Sequence, residues 1–381
     1  MNRSASTHGS ARTRPRPAEA SRLAWRTAAV LLAALLSPAC AHSTPVGDSP
    51  AGSIERHALS GARVAVYNLA GAMVLEPAAG AETIVEVTRA GADAGRLRLT
   101  TGHADGRQDL RVIYPGDRIV YPVLSHGSSS TTRVRDDGTF GGEHAGTWPD
   151  GRRVRIAGSG SGIEAHADVR VRVAKNADVL VRLAVGDVRV MNVDSKLFID
   201  LGNGAVVTSD TRGDLDIDTG SGSVRVARAT GSVTIDTGSG GVSVHDVRGG
   251  PLSIDTGSGG VEASVLDVPK LSVDTGSGRV ELGEVIAASV HIDTGSGGVA
   301  VGLLKAIDEL DVDTGSGGVE VRMPRDAGAM LALEAGSGSL DVDLPMTSVH
   351  RDQGELRGQV GDGRGRIVIE TGSGGIRVAG N

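Results

Sequence analysis

Apolar residues alternate with polar ones on both sides of a glycine-rich word that recurs through the C-terminal half of the chain. Before the glycines stand Leu215/Ile217, Val233/Ile235, Leu252/Ile254, Leu271/Val273, Val290/Ile292 and Leu310/Val312. After them stand Val224/Val226, Val242/Val244, Val261/Ala263, Val280/Leu282, Val299/Val301 and Val319/Val321. A spacing of two with β-branched residues dominant predicts strands that bury one face. No 3.6-residue apolar period runs through this span, which excludes helices there.

The word itself is "DTGSG". It opens at Asp218, Asp236, Asp255, Asp274, Asp293 and Asp313 and continues as "EAGSG" at Glu334 and "ETGSG" at Glu370. The steps are 18, 19, 19, 19, 20 and 21 residues, then 36. A weaker copy, "IDLGNGAV", places its acid at Asp200, and "LAVGDVRV" around Gly186 is more degenerate still. Each unit reads as strand, tight turn, strand and looser return. Neither strand buries its apolar face alone, so units must stack. The expectation is all-β: a single-chain parallel β-solenoid with coils of about 18–21 residues, a pitch of about 4.8 Å and a length on the order of 50 Å. Glycine supplies the reversal, Asp at the last outward position is placed to accept turn N–H groups, and Thr faces inward.

Upstream, "RVAVYNLAGAMVLEP", "AETIVEV", "GRLRLTT" and "DLRVIYPGDRIVYP" alternate in the same way but less regularly. Residues 61–155 therefore read as an irregular N-terminal β region with a polar excursion at 123–153, and 156–381 as the regular repeats. A second excursion, 352–365, accounts for the long step, and the final coil ends almost at Asn381 with no helix to cap it. Residues 1–39 carry six Arg before the apolar run Ala28–Leu36, the make-up of a secretory signal peptide. Cys40, the one cysteine, stands where a lipoprotein signal places its lipidated residue, although Ser37 replaces the usual Leu; cleavage after Ala39-Cys40-Ala41 is the rival. Residues 40–60 read as a tether. Either route predicts an exported protein without an intramolecular disulfide, anchored to the outer membrane through lipid if Cys40 is kept.

"VAVYNLAGAMVLEP", the serial "DTGSGGV" units and the closing "GELRGQVGDGRGRIVIETGSGGIRV" resemble the bacterial putative-adhesin family of exported proteins, over residues 61–380. The resemblance implies an envelope-associated β-solenoid, with adhesion as a working label, and carries no catalytic residues onto this chain.

Composition narrows the chemistry. Aromatics make up only 2% of the chain and glycine 57 residues, so the core must be a narrow one of Val, Ile, Leu and Ala. The net charge is −7 and becomes −12 without residues 1–39, which disfavours nucleic acid as a partner. Asp-Thr-Gly also spells the aspartic-protease signature, but such a site needs two carboxylates sharing a proton across two large lobes. Here six equivalent Asp form a ladder. Its neighbour repulsion calls for compensation by turn N–H groups or by a cation such as Ca²⁺, which wants six to eight oxygens. A glycan-binding or glycan-cleaving β-helix would want aromatic platforms, and the coils from Leu215 onward have none. Tyr114, Tyr121, Phe140 and Trp148, with His126 and His144, gather instead around the first excursion. They are either a ligand or partner contact or the cover over one end of the core. The reading is a non-enzymatic envelope adhesin or scaffold without a cofactor. A periplasmic sensor or regulatory partner is the main alternative, with an envelope protein or glycan as binding partner.

Overall fold

The computed structural model describes residues 52, 54–141 and 151–381. They are all-β apart from one 3-10 turn at Ala94–Arg96. Twenty-seven strands form one continuous hydrogen-bonded, mostly parallel assembly and four form a small separate sheet. Repeats lie side by side in register: Asp200 is opposite Asp218, then Asp236, Asp255, Asp274, Asp293 and Asp313. Beyond the turn, Val206 is opposite Val224, then Val242, Val261, Val280, Val299 and Val319, which makes a second wall. The alternating Val, Ile and Leu of both walls point inward and are buried. Each step of the stack puts like on like.

The return is more ordered than the sequence implies. Thr211, Ala229, Val247, Leu266 and Val285 are in register and buried, giving each coil a short third side. The chain enters that side through one left-handed residue per coil: Asp210, Arg228, Asp246, Val265 and Glu284, with φ of 56°, 55°, 60°, 58° and 55°. A β-branched residue such as Val265 is strained there. The stacked corners above and below hold it in place.

The turn is organised by threonine rather than aspartate. Asp points outward, away from the turn backbone, so the expected Asp acceptor is not what closes the loop. Instead the Gly259 N–H donates to Thr256 Oγ1 at 3.1 Å, and that hydroxyl donates to the Gly240 carbonyl of the preceding coil at 3.3 Å. The same pair of bonds recurs at Thr275, Thr294, Thr314 and Thr371. A buried hydroxyl thus satisfies two backbone groups that packing would otherwise orphan. The glycine in this contact has no room for a side chain: a Cβ on Gly259 would sit 1.8 Å from the Gly240 carbonyl oxygen.

Stacking order departs from chain order at both ends. Gly365–Thr371 is paired on one side with Glu309–Thr314 and on the other with Ala329–Ala335, so the last coil is inserted between two earlier ones. Its partner strand Ile376–Gly380 sits likewise between Val319–Met323 and Leu340–Asp343. The expected surface excursion at 352–365 is instead part of an antiparallel hairpin. Glu355–Val360 covers the outer edge of Ala329–Ala335, and Met346–Asp352 lies beyond it, bulged between Thr347 and His350. An edge strand that is bulged and polar resists further pairing. The open edge expected at the final coil is therefore displaced and blunted.

At the other end, Arg63–Ala70 lies between Asp178–Val185 and Arg107–Ile113, and Met73–Pro77 between Val188–Met191 and His166–Val173. The segment expected to be irregular thus supplies a full coil of the stack, because "VAVYNLAGAMVL" has the alternation and the central glycine of a repeat. Within the expected excursion 123–153, Ser129–Val134 and the start of Arg152–Ala157 are strands. With Arg118–Val120 and Ile163–Glu164 they make the small sheet, whose Ile119, Val134, Val154, Ile156 and Ile163 join the core.

Two neighbouring glycines test the stacking constraint. A Cβ on Gly260 would be 3.6 Å from the nearest atom, the Arg279 carbonyl oxygen, whereas that on Gly259 meets backbone at 1.8 Å. In thermal melts, Gly259→Ala should cost about 2–3 kcal/mol or more, and Gly260→Ala should stay within about 0.5 kcal/mol of the parent. Val242→Asp places an unpaired charge at a position 2% exposed and should abolish cooperative melting.

Candidate functional site

The register that aligns the repeats also aligns their acids. Asp200, Asp218, Asp236, Asp255, Asp274, Asp293 and Asp313 continue into Glu370 and then Glu334, in the order set by the inserted coil. At about 4.8 Å per step the file extends over nearly 40 Å. From Asp218 to Glu334 every member is exposed. Among the described residues none of those eight carboxylates has a Lys, Arg or His within ion-pair distance. The serines of the same turns run alongside them.

Unpaired neighbours of like charge raise one another's proton affinity. Burial first, and then the Asp236 and Asp274 carboxylates, lift Asp255 above the ordinary carboxylate range. Burial with Asp218 does so at Asp236, and burial with Asp274 and Asp313 at Asp293. Asp218 is raised by burial against the opposing pull of Arg182.

The head of the file is different. The column continues beyond Asp200 as Arg182, Tyr67 and Arg111. Arg182 Nε is 3.3 Å from Asp200 Oδ2, its Nη1 donates to the Phe140 carbonyl, and its guanidinium lies 6.0 Å from the Tyr67 ring centre. Phe140 meets Tyr67 edge-on with 6.0 Å between centres. Arg111 is held by Asp109 at 2.7 Å and Asp137 at 2.9 Å. Burial under this cover pushes Asp200 up to about 6, with Arg182 opposing and Asp218 adding to the rise. Nothing in the word "DTGSG" marks Arg182; its one signal is that it stands 18 residues before Asp200, in the same repeat position.

Three of the four aromatic candidates are buried. Tyr114 is buried with its hydroxyl 2.7 Å from Asn68 Oδ1 and 2.9 Å from the Ala70 carbonyl. Tyr121 is buried against His166, ring centres 5.1 Å apart, and Phe140 is buried against Tyr67. They cover the end of the core. Trp148 and His144 lie outside the described residues, as does Cys40, while His126 is exposed. As for calcium, the ladder offers one carboxylate per coil, and among the described residues no three His, Cys, Asp or Glu converge on one point.

The raised carboxylates set a pH dependence. Their folded-state affinity for protons exceeds the unfolded one, so their contribution to stability is greatest when protonated and is lost as pH rises; for Asp200 the window runs from about 4 up to about 6. Asp255→Asn removes two neighbour repulsions of roughly 1 kcal/mol each before salt screening. It should raise the melting temperature by about 1–3 °C at neutral pH. That gain should shrink once the pH falls below the ordinary carboxylate range, where protonation removes the same repulsion from the parent; an equal gain at both pH values would show that repulsion is not its origin.

Comparison with known proteins places the repeats. A crystal structure described as a putative cell adhesion protein from Clostridium sporogenes aligns over 86% of this chain and 99% of its own, at 11% identity and a TM-score of 0.18. No curated protein matches. Residues 205–379 match the Toastrack family model, DUF4097, so this stretch of in-register repeats is similar to that family.

Proposed function

We propose that the protein is a non-enzymatic scaffold of the cell envelope, exported and held by lipid at Cys40, and that the carboxylate ladder with its flanking serines is its adhesive face. The observation that carries this reading is equivalence. From Asp218 to Glu334 the same group recurs at the same pitch, exposed and unpaired, and no coil is singled out. Acid–base catalysis requires two groups whose environments push their proton affinities apart. A file of like groups instead sums weak contacts along an extended partner, and avidity rather than any one contact sets the strength. The matching partner is a chain bearing cationic or hydroxyl groups at short intervals: a basic protein segment or a polysaccharide of the envelope.

The test is a neutralisation series. Asp236→Asn, Asp255→Asn and Asp274→Asn, singly and together, are applied to the purified protein, and binding to isolated cell envelopes is measured. Each single change should weaken binding two- to three-fold whichever position is chosen, and the triple change should weaken it at least about tenfold. Loss of all binding from one substitution, with its neighbours silent, would replace the scaffold by a discrete site. Protease treatment of intact cells addresses sidedness independently.

A further inference from the structure

Charge is unevenly divided along this molecule. Residues 52–199 carry 19 Lys and Arg against 17 Asp and Glu, while residues 200–381 carry 14 against 27. The basic excess has a definite place. In the small four-stranded sheet one face enters the core through Ile119, Val134, Val154 and Ile156. Alternation puts Arg118, Arg133, Arg153 and Arg155 on the other face, and all four are exposed. Arg133 lies directly opposite Arg153, and Arg118 directly opposite Arg155.

Like charges directly opposite across strands are destabilising. Elsewhere in this protein exposed arginines are commonly paired, as Arg228 is with Asp210 and Arg366 with Glu309. Among the described residues no carboxylate is within ion-pair distance of these four; the one polar contact is from Arg155 Nη2 to Ser129 Oγ at 3.1 Å. Among the described residues, two surfaces of opposite sign thus stand without ion-pair partners. Each is built on β-strands, so the arginine pairs and the carboxylate file share the interstrand repeat of about 4.8 Å. The arginine face lies at the N-terminal end of the stack and the exposed file runs through the C-terminal coils.

We propose that the arginine face of one copy docks on the carboxylate ladder of a second copy, so that the protein assembles with itself in an open, head-to-ladder series. This rests on reading the ladder as the adhesive face and names one occupant of it. Matching pitch lets neighbouring guanidinium groups each meet a carboxylate, and guanidinium–carboxylate pairs are the geometrically favoured ones. The two surfaces differ, so the contact is heterologous and continues from copy to copy instead of closing as a twofold dimer. Because the pairs are exposed, assembly depends on ionic strength.

Sedimentation of the purified protein, without envelopes, tests this apart from the adhesive reading. The wild type should form species larger than a monomer that grow with concentration at about 0.05 M salt and dissociate at about 0.5 M. Arg153→Glu with Arg155→Glu should weaken association at least about tenfold, and so should Asp274→Lys with Asp293→Lys. The two variants mixed should associate again, the reversed arginine face now matching the reversed ladder, and this rescue also shows that both are folded. A wild type that stays monomeric at low salt, or association untouched by either reversal, would overturn the proposal. So would a monomer that instead sediments with phosphatidylglycerol vesicles and loses that property on Arg153→Glu with Arg155→Glu; the arginine face would then belong to an anionic membrane.

Discussion

Everything in this molecule is subordinate to how closely two turns can approach. The strands stack at the interstrand distance of a sheet, and at the corner the carbonyl of one glycine occupies the space a side chain would need on the next. Only glycine permits that approach, and in five coils a buried threonine hydroxyl beside it satisfies the freed backbone groups. Once Gly and Thr are fixed, the alternation of the strands is fixed with them. The residue before Thr must face solvent, and the one before that, such as Ile254 or Val273, must be apolar and buried.

The charge pattern follows from the same register. A stack that aligns identical positions cannot distribute one acid per repeat without aligning the acids, and among the described residues none of them from Asp218 onward has an ion-pair partner. At its head the file meets a cation, Arg182, roofed by Phe140 and Tyr67. The ladder therefore has one screened end and a long open remainder. Such a line of charge is tolerated because each member stays wetted. Where water is displaced, at Asp200, proton affinity rises most.

Much of this was legible in the residues. The period-two alternation marked the walls, and the glycine word marked the corners, because both are local requirements repeated often enough to be seen. The roles of Thr256 and its equivalents were half legible: their inward direction follows from alternation, but their hydrogen bond to the preceding coil is a contact between repeats. Spatial order was not legible at the ends. Nothing local in "RIVIETGSGGIRV" says that it lies between two earlier coils, since every coil offers the same edges. Register can be read from a repeat; order cannot. The aromatics allowed two readings, and burial decides between them for Tyr114, Tyr121 and Phe140. All three join the core near the less repetitive N-terminal coils, so their grouping reports cover over the interior.

The inserted coil has a consequence for how the chain comes into being. A stack built in chain order could lengthen one turn at a time as the polypeptide emerges, each new coil templated by the last. Here the segment from Ala329 to Asp343 has no neighbour in place on its inner side until Gly365–Gly380 has arrived, and the coil from Arg63 to Pro77 waits for residues beyond 107 and 178. Both ends are therefore completed late. A chain synthesised from its amino terminus holds the segment Ala329–Asp343 without its inner neighbour until the last coil has been made.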